Sequence, residues 1–149
     1  MQGKIALILL FVVSSYLTKA QNPVQWTYSS KRINDSTFEI HILAKIDPGW
    51  HIYAQKQSEN GIGIPTTITF TKSPLFQFVG ETKEKGNLHI YKDPTLGIVN
   101  NQYEDDVDFI QIVKKKGKFQ THVTGSIKFQ VCTERQCLFP AEVSFSIPN

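Results

Sequence analysis

The chain has 149 residues, 40% of them apolar and 19% charged, with a formal net charge of +3 and two cysteines. That composition suits one domain with a single core; it excludes a multidomain enzyme, a disordered tail and a miniprotein scaffolded by several disulfides. Sixteen basic against thirteen acidic residues leave no clustered positive excess of the kind that binding a phosphate backbone requires, so nucleic acid is not an expected partner.

Residues 1–20 read as a secretory signal peptide. Lys4 supplies the positive start, Ile5 to Leu17 is an uncharged stretch of thirteen residues, and Thr18-Lys19-Ala20 places small residues where a signal peptidase cuts. As a helix the stretch would cover only about 20 Å, short of the roughly 30 Å hydrocarbon core, so no stable membrane span is expected in the mature chain. An uncleaved N-terminal anchor is the other reading, and Lys19 beside the cut is the residue that argues for it. Cleavage after Ala20 leaves a domain of residues 21–149 and, with Lys4 and Lys19 gone, lowers the charge from +3 to +1. No cysteine near the cut points to a lipid anchor. Such a chain is exported, to the periplasm or the extracellular space, where a disulfide can form and persist.

From residue 24 onward the apolar period is two. Phe38, Ile40, Ile42, Ala44 and Ile46 alternate with Glu39, His41, Leu43 and Lys45, which sends one set to a buried face. After Asp47-Pro48-Gly49, the segments Gln55 to Gly63 and Glu81 to Asn101 are polar and weakly patterned and are expected to be long loops at one end of the molecule. Alternation returns in Val107 and Phe109, in Phe119, Thr121 and Val123, in Ile127, Phe129 and Val131, and in Val143, Phe145 and Ile147. The lysine run 114–118 reads as a solvated hairpin turn between two of these strands. Short alternating strands punctuated by Asn, Asp, Gly and Pro predict an all-β sandwich or barrel. Trp26 and Trp50 are expected to pack in its core or at its end.

Both cysteines lie within six residues, in Cys132-Thr-Glu-Arg-Gln-Cys137, so they cannot bridge two sheets, and packing must hold the sandwich. Four intervening residues let the chain turn back and bring the sulfurs together. Alternation from Ile127, Phe129 and Val131 places Cys132 on the outer face with Lys128 and Gln130. Closing so short a loop contributes roughly 2 kcal/mol by chain entropy, against about 4.7 for a loop of a hundred residues. The pair is therefore a weak staple, whereas a short, partly exposed disulfide is open to attack by a thiolate. Arg135 and Lys128 would favour a thiolate and Glu134 would oppose it; an inert structural disulfide and a redox couple both remain open on this pattern.

Phe129-Gln130-Val131-Cys132, then Cys137, Pro140 and the strand Val143 to Ile147 resemble the active-site hairpin of the N-terminal periplasmic domain of the thiol:disulfide interchange protein DsbD, which reads aromatic-Gln-x-Cys, a short turn, Cys and Pro. Gly49-Trp50-His51-Ile52-Tyr53 is similar to that family's Gly-aromatic-x-x-Tyr segment. The resemblance spans residues 22–148. It implies an immunoglobulin-like antiparallel β-sandwich with long loops at the active-site end, needing no cofactor, that takes reducing equivalents from one thioredoxin-like domain and passes them to other oxidoreductases. If it is an enzyme, it is a protein-disulfide reductase component. By the resemblance Cys137 forms the mixed disulfide, Cys132 resolves it, Tyr53 packs beside the pair, and His51 stands where better-known members have a second tyrosine.

This chain departs from that pattern in three ways. Four residues separate the cysteines where the best-known members have five. The shielding cap loop should fall within Glu81 to Asp93, yet that segment has no phenylalanine: Glu84 falls near its place, and Leu88 or Tyr91 are the side chains left to cover the pair, or else the site is open. The sequence ends at Asn149, so the relay would run through separate thioredoxin-like oxidoreductases, with a membrane electron donor as a further candidate partner and the domain itself a monomer. His41, His89 and His122 are scattered, and Cys-x4-Cys lacks zinc-ligand spacing, so no metal is expected. The rival reading is a non-catalytic β-sandwich interaction module whose disulfide only pins the last hairpin.

Overall fold

The structure, a computed structural model, describes residues 22–149; the predicted signal peptide lies outside the described residues. Strands β1 (Val24–Arg32) and β2 (Thr37–Ile46) form the first hairpin. Its turn is set by Asn34, whose side-chain oxygen accepts from the backbone N–H of Ser36 at 3.0 Å and of Thr37 at 2.9 Å, the local bonding that makes asparagine a turn former. Along β2 the expected alternation is realised: Ile40, Ile42 and Ala44 are fully buried while Glu39, His41 and Leu43 face outward.

The remaining strands are β3 (His51–Tyr53), β4 (Thr67–Phe70), β5 (Phe76–Asp93), β6 (Ile98–Lys115), β7 (His122–Phe129), β8 (Val131–Cys132) and β9 (Ala141–Pro148). All pairings are antiparallel. The larger sheet runs β1-β2-β6-β3-β8, with β5 on the other edge of β6, and the smaller runs β4-β7-β9. Val107, Phe109 and Val113 of β6 meet Val123, Ile127 and Phe129 of β7 and Phe145 and Ile147 of β9 in one core, each such burial stabilising by roughly 1.5–3 kcal/mol. Trp26 packs between the sheets, 5.1 Å from the Phe129 ring and 6.1 Å from Phe109, as its sequence context predicted.

The structure corrects three expectations. Residues 81–101 are not a loop: β5 and β6 are 18-residue strands joined by a tight turn at Asp93–Ile98, where Asp93 accepts from the N–H of Thr95 and Leu96 and Gly97 takes φ +68°. Most of β5 is exposed on both faces, so no buried side stamped a two-residue period on its sequence; pairing to β6 makes it a strand. Residues 114–118 do not form a hairpin turn, because β6 belongs to the large sheet and β7 to the small one; β6 ends at Lys115, a crossover follows, and the next strand starts at His122 rather than Phe119. Finally, the strand expected over 126–131 breaks at Gln130, where the chain leaves the small sheet and joins the large one as β8. Among the described residues no helix is long and apolar enough to cross a membrane.

Candidate active site

The switch of sheets at Gln130 decides the environment of the cysteines. Val131 still faces the core, but Cys132 now pairs with His51 on β3. It is only 1% exposed: alternation still turns it away from the core, opposite to Val131, but after the change of sheet that face is covered by His51 and Tyr53 instead of lying open beside Lys128 and Gln130. Cys137 lies across a narrow hairpin from it, with Cα atoms 4.0 Å apart and the two sulfurs bonded, and is exposed. Thr133 organises the turn: its hydroxyl oxygen accepts from the N–H of Arg135 and Gln136, both at 3.2 Å, and its own N–H donates to the Gln136 carbonyl at 2.7 Å. The Leu138 N–H, donating to the Val131 carbonyl at 2.9 Å, closes the hairpin base.

Facing residues in an antiparallel ladder share a face, so the register assembles the rest. His51 opposes Cys132, Tyr53 opposes Gln102, His89 opposes Gln102 from the other edge, and Tyr91 opposes Asn100. Apart from Cys132, these side chains line a cleft of about 780 Å³ with Trp50, Glu104 and the turn from Thr133 to Cys137. The side chains of Ile52, Tyr103 and Val131 point the other way, into the core.

Tyr53 is buried, and its hydroxyl donates to Cys132 Sγ at 3.4 Å. Burial pushes its phenol above the ordinary tyrosine range, so it acts as a donor. His51 packs edge-on against Tyr53 with ring centroids 5.3 Å apart. Burial lowers the His51 pKa below 6.5, opposed by the charges of Glu104 and Glu134. Glu104 accepts from Gln102 Nε2 at 3.0 Å and pairs with His89 Nδ1 at 2.5 Å, and both hold its carboxyl below the usual range.

Of the side chains singled out from sequence, Tyr53, His51, Tyr91 and Cys137 line the cleft and Cys132 lies beneath it. Glu84 does not join them. It sits opposite Phe109, on the core-facing side of β5, and accepts from the Tyr103 hydroxyl at 3.2 Å and the Gln55 N–H at 2.7 Å. Leu88, opposite Tyr103, is turned from the cleft by the same parity; His89 and Tyr91 stand over the site in its place. Gln102, Glu104 and the site role of His89 were missed. Polar residues at 89, 100, 102 and 104 carry no motif, and only the β5–β6 register brings them together.

Gly63 was missed too. A Cβ there would lie 2.2 Å from the Tyr53 ring, so the glycine lets loop 54–66 press on that ring. The loop is held by Asn100, whose Oδ1 accepts from the Ile62 N–H at 3.0 Å, and by Thr66, whose hydroxyl donates to the Tyr53 carbonyl at 2.6 Å. Among the described residues no group of three His, Cys, Asp or Glu could hold a metal ion. His41 instead bonds Asp108 at 2.7 Å on the outer sheet face.

Residues 19–148 match the family described as thiol:disulfide interchange protein DsbD, N-terminal. Among solved structures, the N-terminal periplasmic domain of ScsB from Proteus mirabilis is similar, with a TM-score of 0.57 and 17% identity over 85% of this chain and 46% of that one. This chain thus spans less than half of that domain's length. The reduced DsbD N-terminal domain from Neisseria meningitidis has a TM-score of 0.48 and 14% identity, covering 83% of this chain and 85% of that one. A second Neisseria meningitidis structure, of the complex between the DsbD N-terminal and PilB N-terminal domains, has a TM-score of 0.45 and 13% identity, covering 81% and 80%. No curated protein sequence matches this chain. The immunoglobulin-like antiparallel β-sandwich expected from the sequence is the fold observed.

Proposed function

The chain belongs to the family of DsbD N-terminal domains, and from that premise we propose that it is an exported domain of residues 21–149 that passes reducing equivalents between thioredoxin-like partners through Cys132 and Cys137. The observation that carries this reading is the asymmetry of the pair. Cys137 is exposed at a cleft that a partner's thiolate can enter, and Cys132 is buried with the Tyr53 hydroxyl on its sulfur. An incoming thiolate attacks Cys137, the Cys132–Cys137 bond breaks, and Cys132 leaves; in reverse, Cys132 displaces the partner from Cys137. Leu138 and Phe139, the latter 95% exposed, present apolar surface directly beside the reactive sulfur, where a docking partner would cover it.

Replacing Cys132 with serine removes the resolving sulfur, so a reduced Cys132→Ser variant is expected to accumulate a mixed disulfide through Cys137 with a thioredoxin-like protein. Its absence under conditions that oxidise the parent's pair would favour a merely structural disulfide.

A further inference from the structure

The buried position of Cys132 creates a chemical difficulty that the exchange reading leaves open. A thiol that is 1% exposed and next to core residues resists ionisation, because the thiolate loses its water, yet Cys132 must become a thiolate to resolve a mixed disulfide. Tyr53 cannot take the proton, since its hydroxyl already donates to that sulfur. His51 stands directly across the ladder from Cys132, a placement that brings Cβ atoms to about 4.5–5.5 Å. Its ring lines the same cleft as Cys137.

Resting on the proposed exchange function, we propose that His51 is the proton carrier of the resolving step. Neutral His51 takes the Cys132 proton. The Cys132 thiolate attacks Cys137, the Cys132–Cys137 bond forms as the Cys137–partner bond breaks, and the departing partner thiolate takes up the proton from the imidazolium or from water. In the reductive direction the imidazolium returns the proton to Cys132 as it leaves, so two electrons and two protons move per cycle. The groups facing His51 are Tyr53 on its own strand, Gln102 and Glu104 on β6, His89 and Tyr91 on β5, and Glu134 with Arg135 in the turn. Burial favours the neutral, proton-accepting imidazole near pH 7, and the carboxylates of Glu104 and Glu134 limit that effect.

The test uses oxidised glutathione, so no partner need be known. Reduced protein forms a Cys137–glutathione mixed disulfide, and Cys132 then resolves it; the two steps are timed separately between pH 5 and 9. The resolving rate of the parent is expected to rise through an inflection below pH 6.5. His51→Gln should slow that step about a hundredfold at pH 7, the low edge of what general bases supply, and remove the inflection while sparing the first step. His51→Tyr, which restores an aromatic ring without a base, should not rescue it. Glu104→Gln, an exposed change, should move the inflection to lower pH. A resolving rate in His51→Gln within twofold of the parent at every pH would overturn the role of His51 alone. Failure of the parent to form any mixed disulfide would overturn the exchange reading with it.

Discussion

Cys132 and Cys137 are five positions apart and chemically identical in the sequence, but the protein gives them opposite surroundings. One is sealed under Tyr53 and opposite His51, the other opens to the cleft. A residue with no side chain leaves room for the Tyr53 ring in this arrangement. Because a Cβ at Gly63 would meet the Tyr53 ring at 2.2 Å, Gly63→Ala must push the ring or the loop aside. Overpacking of this sort costs about 1–3 kcal/mol, measurable as a lowered denaturation midpoint, and the displaced hydroxyl should no longer reach Cys132. A variant as stable as the parent would show that loop 54–66 yields freely.

At the scale of elements, the β5–β6 hairpin supplies one wall of the cleft, and two devices hold it. Where its pairing slips between Val79 and Lys83, Gln111 takes up the loose groups: its Nε2 donates to the carbonyls of Val79 and Gly80, and its Oε1 accepts from the Thr82 hydroxyl. Farther along, Glu84 ties the hairpin to loop 54–66 through Gln55 and to β6 through Tyr103. Burial first, then the Glu84 charge and hydrogen bond, push the Tyr103 phenol up to about 12. A pKa raised on folding means that the native state holds its proton more tightly than the unfolded chain, so this contribution is complete below pH 10 and lost as pH rises towards 12. Glu84→Gln removes the second cause and leaves the first. Its Tyr103 should titrate between 10 and 12, followed by ultraviolet difference absorbance, and an unchanged titration would mean that burial alone sets the value.

For the whole molecule, the decisive fact is that the apolar cluster joining the two sheets does not include the disulfide, although Cys132 itself is buried. Val107, Phe109, Ile127, Phe129 and Ile147 join the two sheets without it. Replacing both cysteines with serine is therefore expected to cost only about 2 kcal/mol, the entropy of so short a loop, with a cooperative urea transition retained. A loss of twice that, or a transition that loses cooperativity, would make the pair a staple after all.

Much of this architecture was legible in the residues. A half-buried strand must alternate, so β2 and β9 announced themselves, whereas β7 was read as parts of two runs, 119–123 and 126–131, that the structure joins into one strand; two cysteines five positions apart could only close a local hairpin. The aromatic-Gln-x-Cys hairpin and the Gly-Trp-His-Ile-Tyr segment pointed to Cys132, Cys137, Tyr53 and His51 together. The edge strand β5 was not legible, because an element whose two faces both meet water carries no periodic apolar signal. Nor was the burial of Cys132, which follows from a change of sheet at Gln130 that local alternation does not encode. The sequence by itself determined the fold class and the local pairing of the two cysteines, since both are written in spacing along the chain. Only the tertiary structure decided which sulfur is sealed, and that His51, His89, Gln102 and Glu104 share its cleft, because strand register places them there.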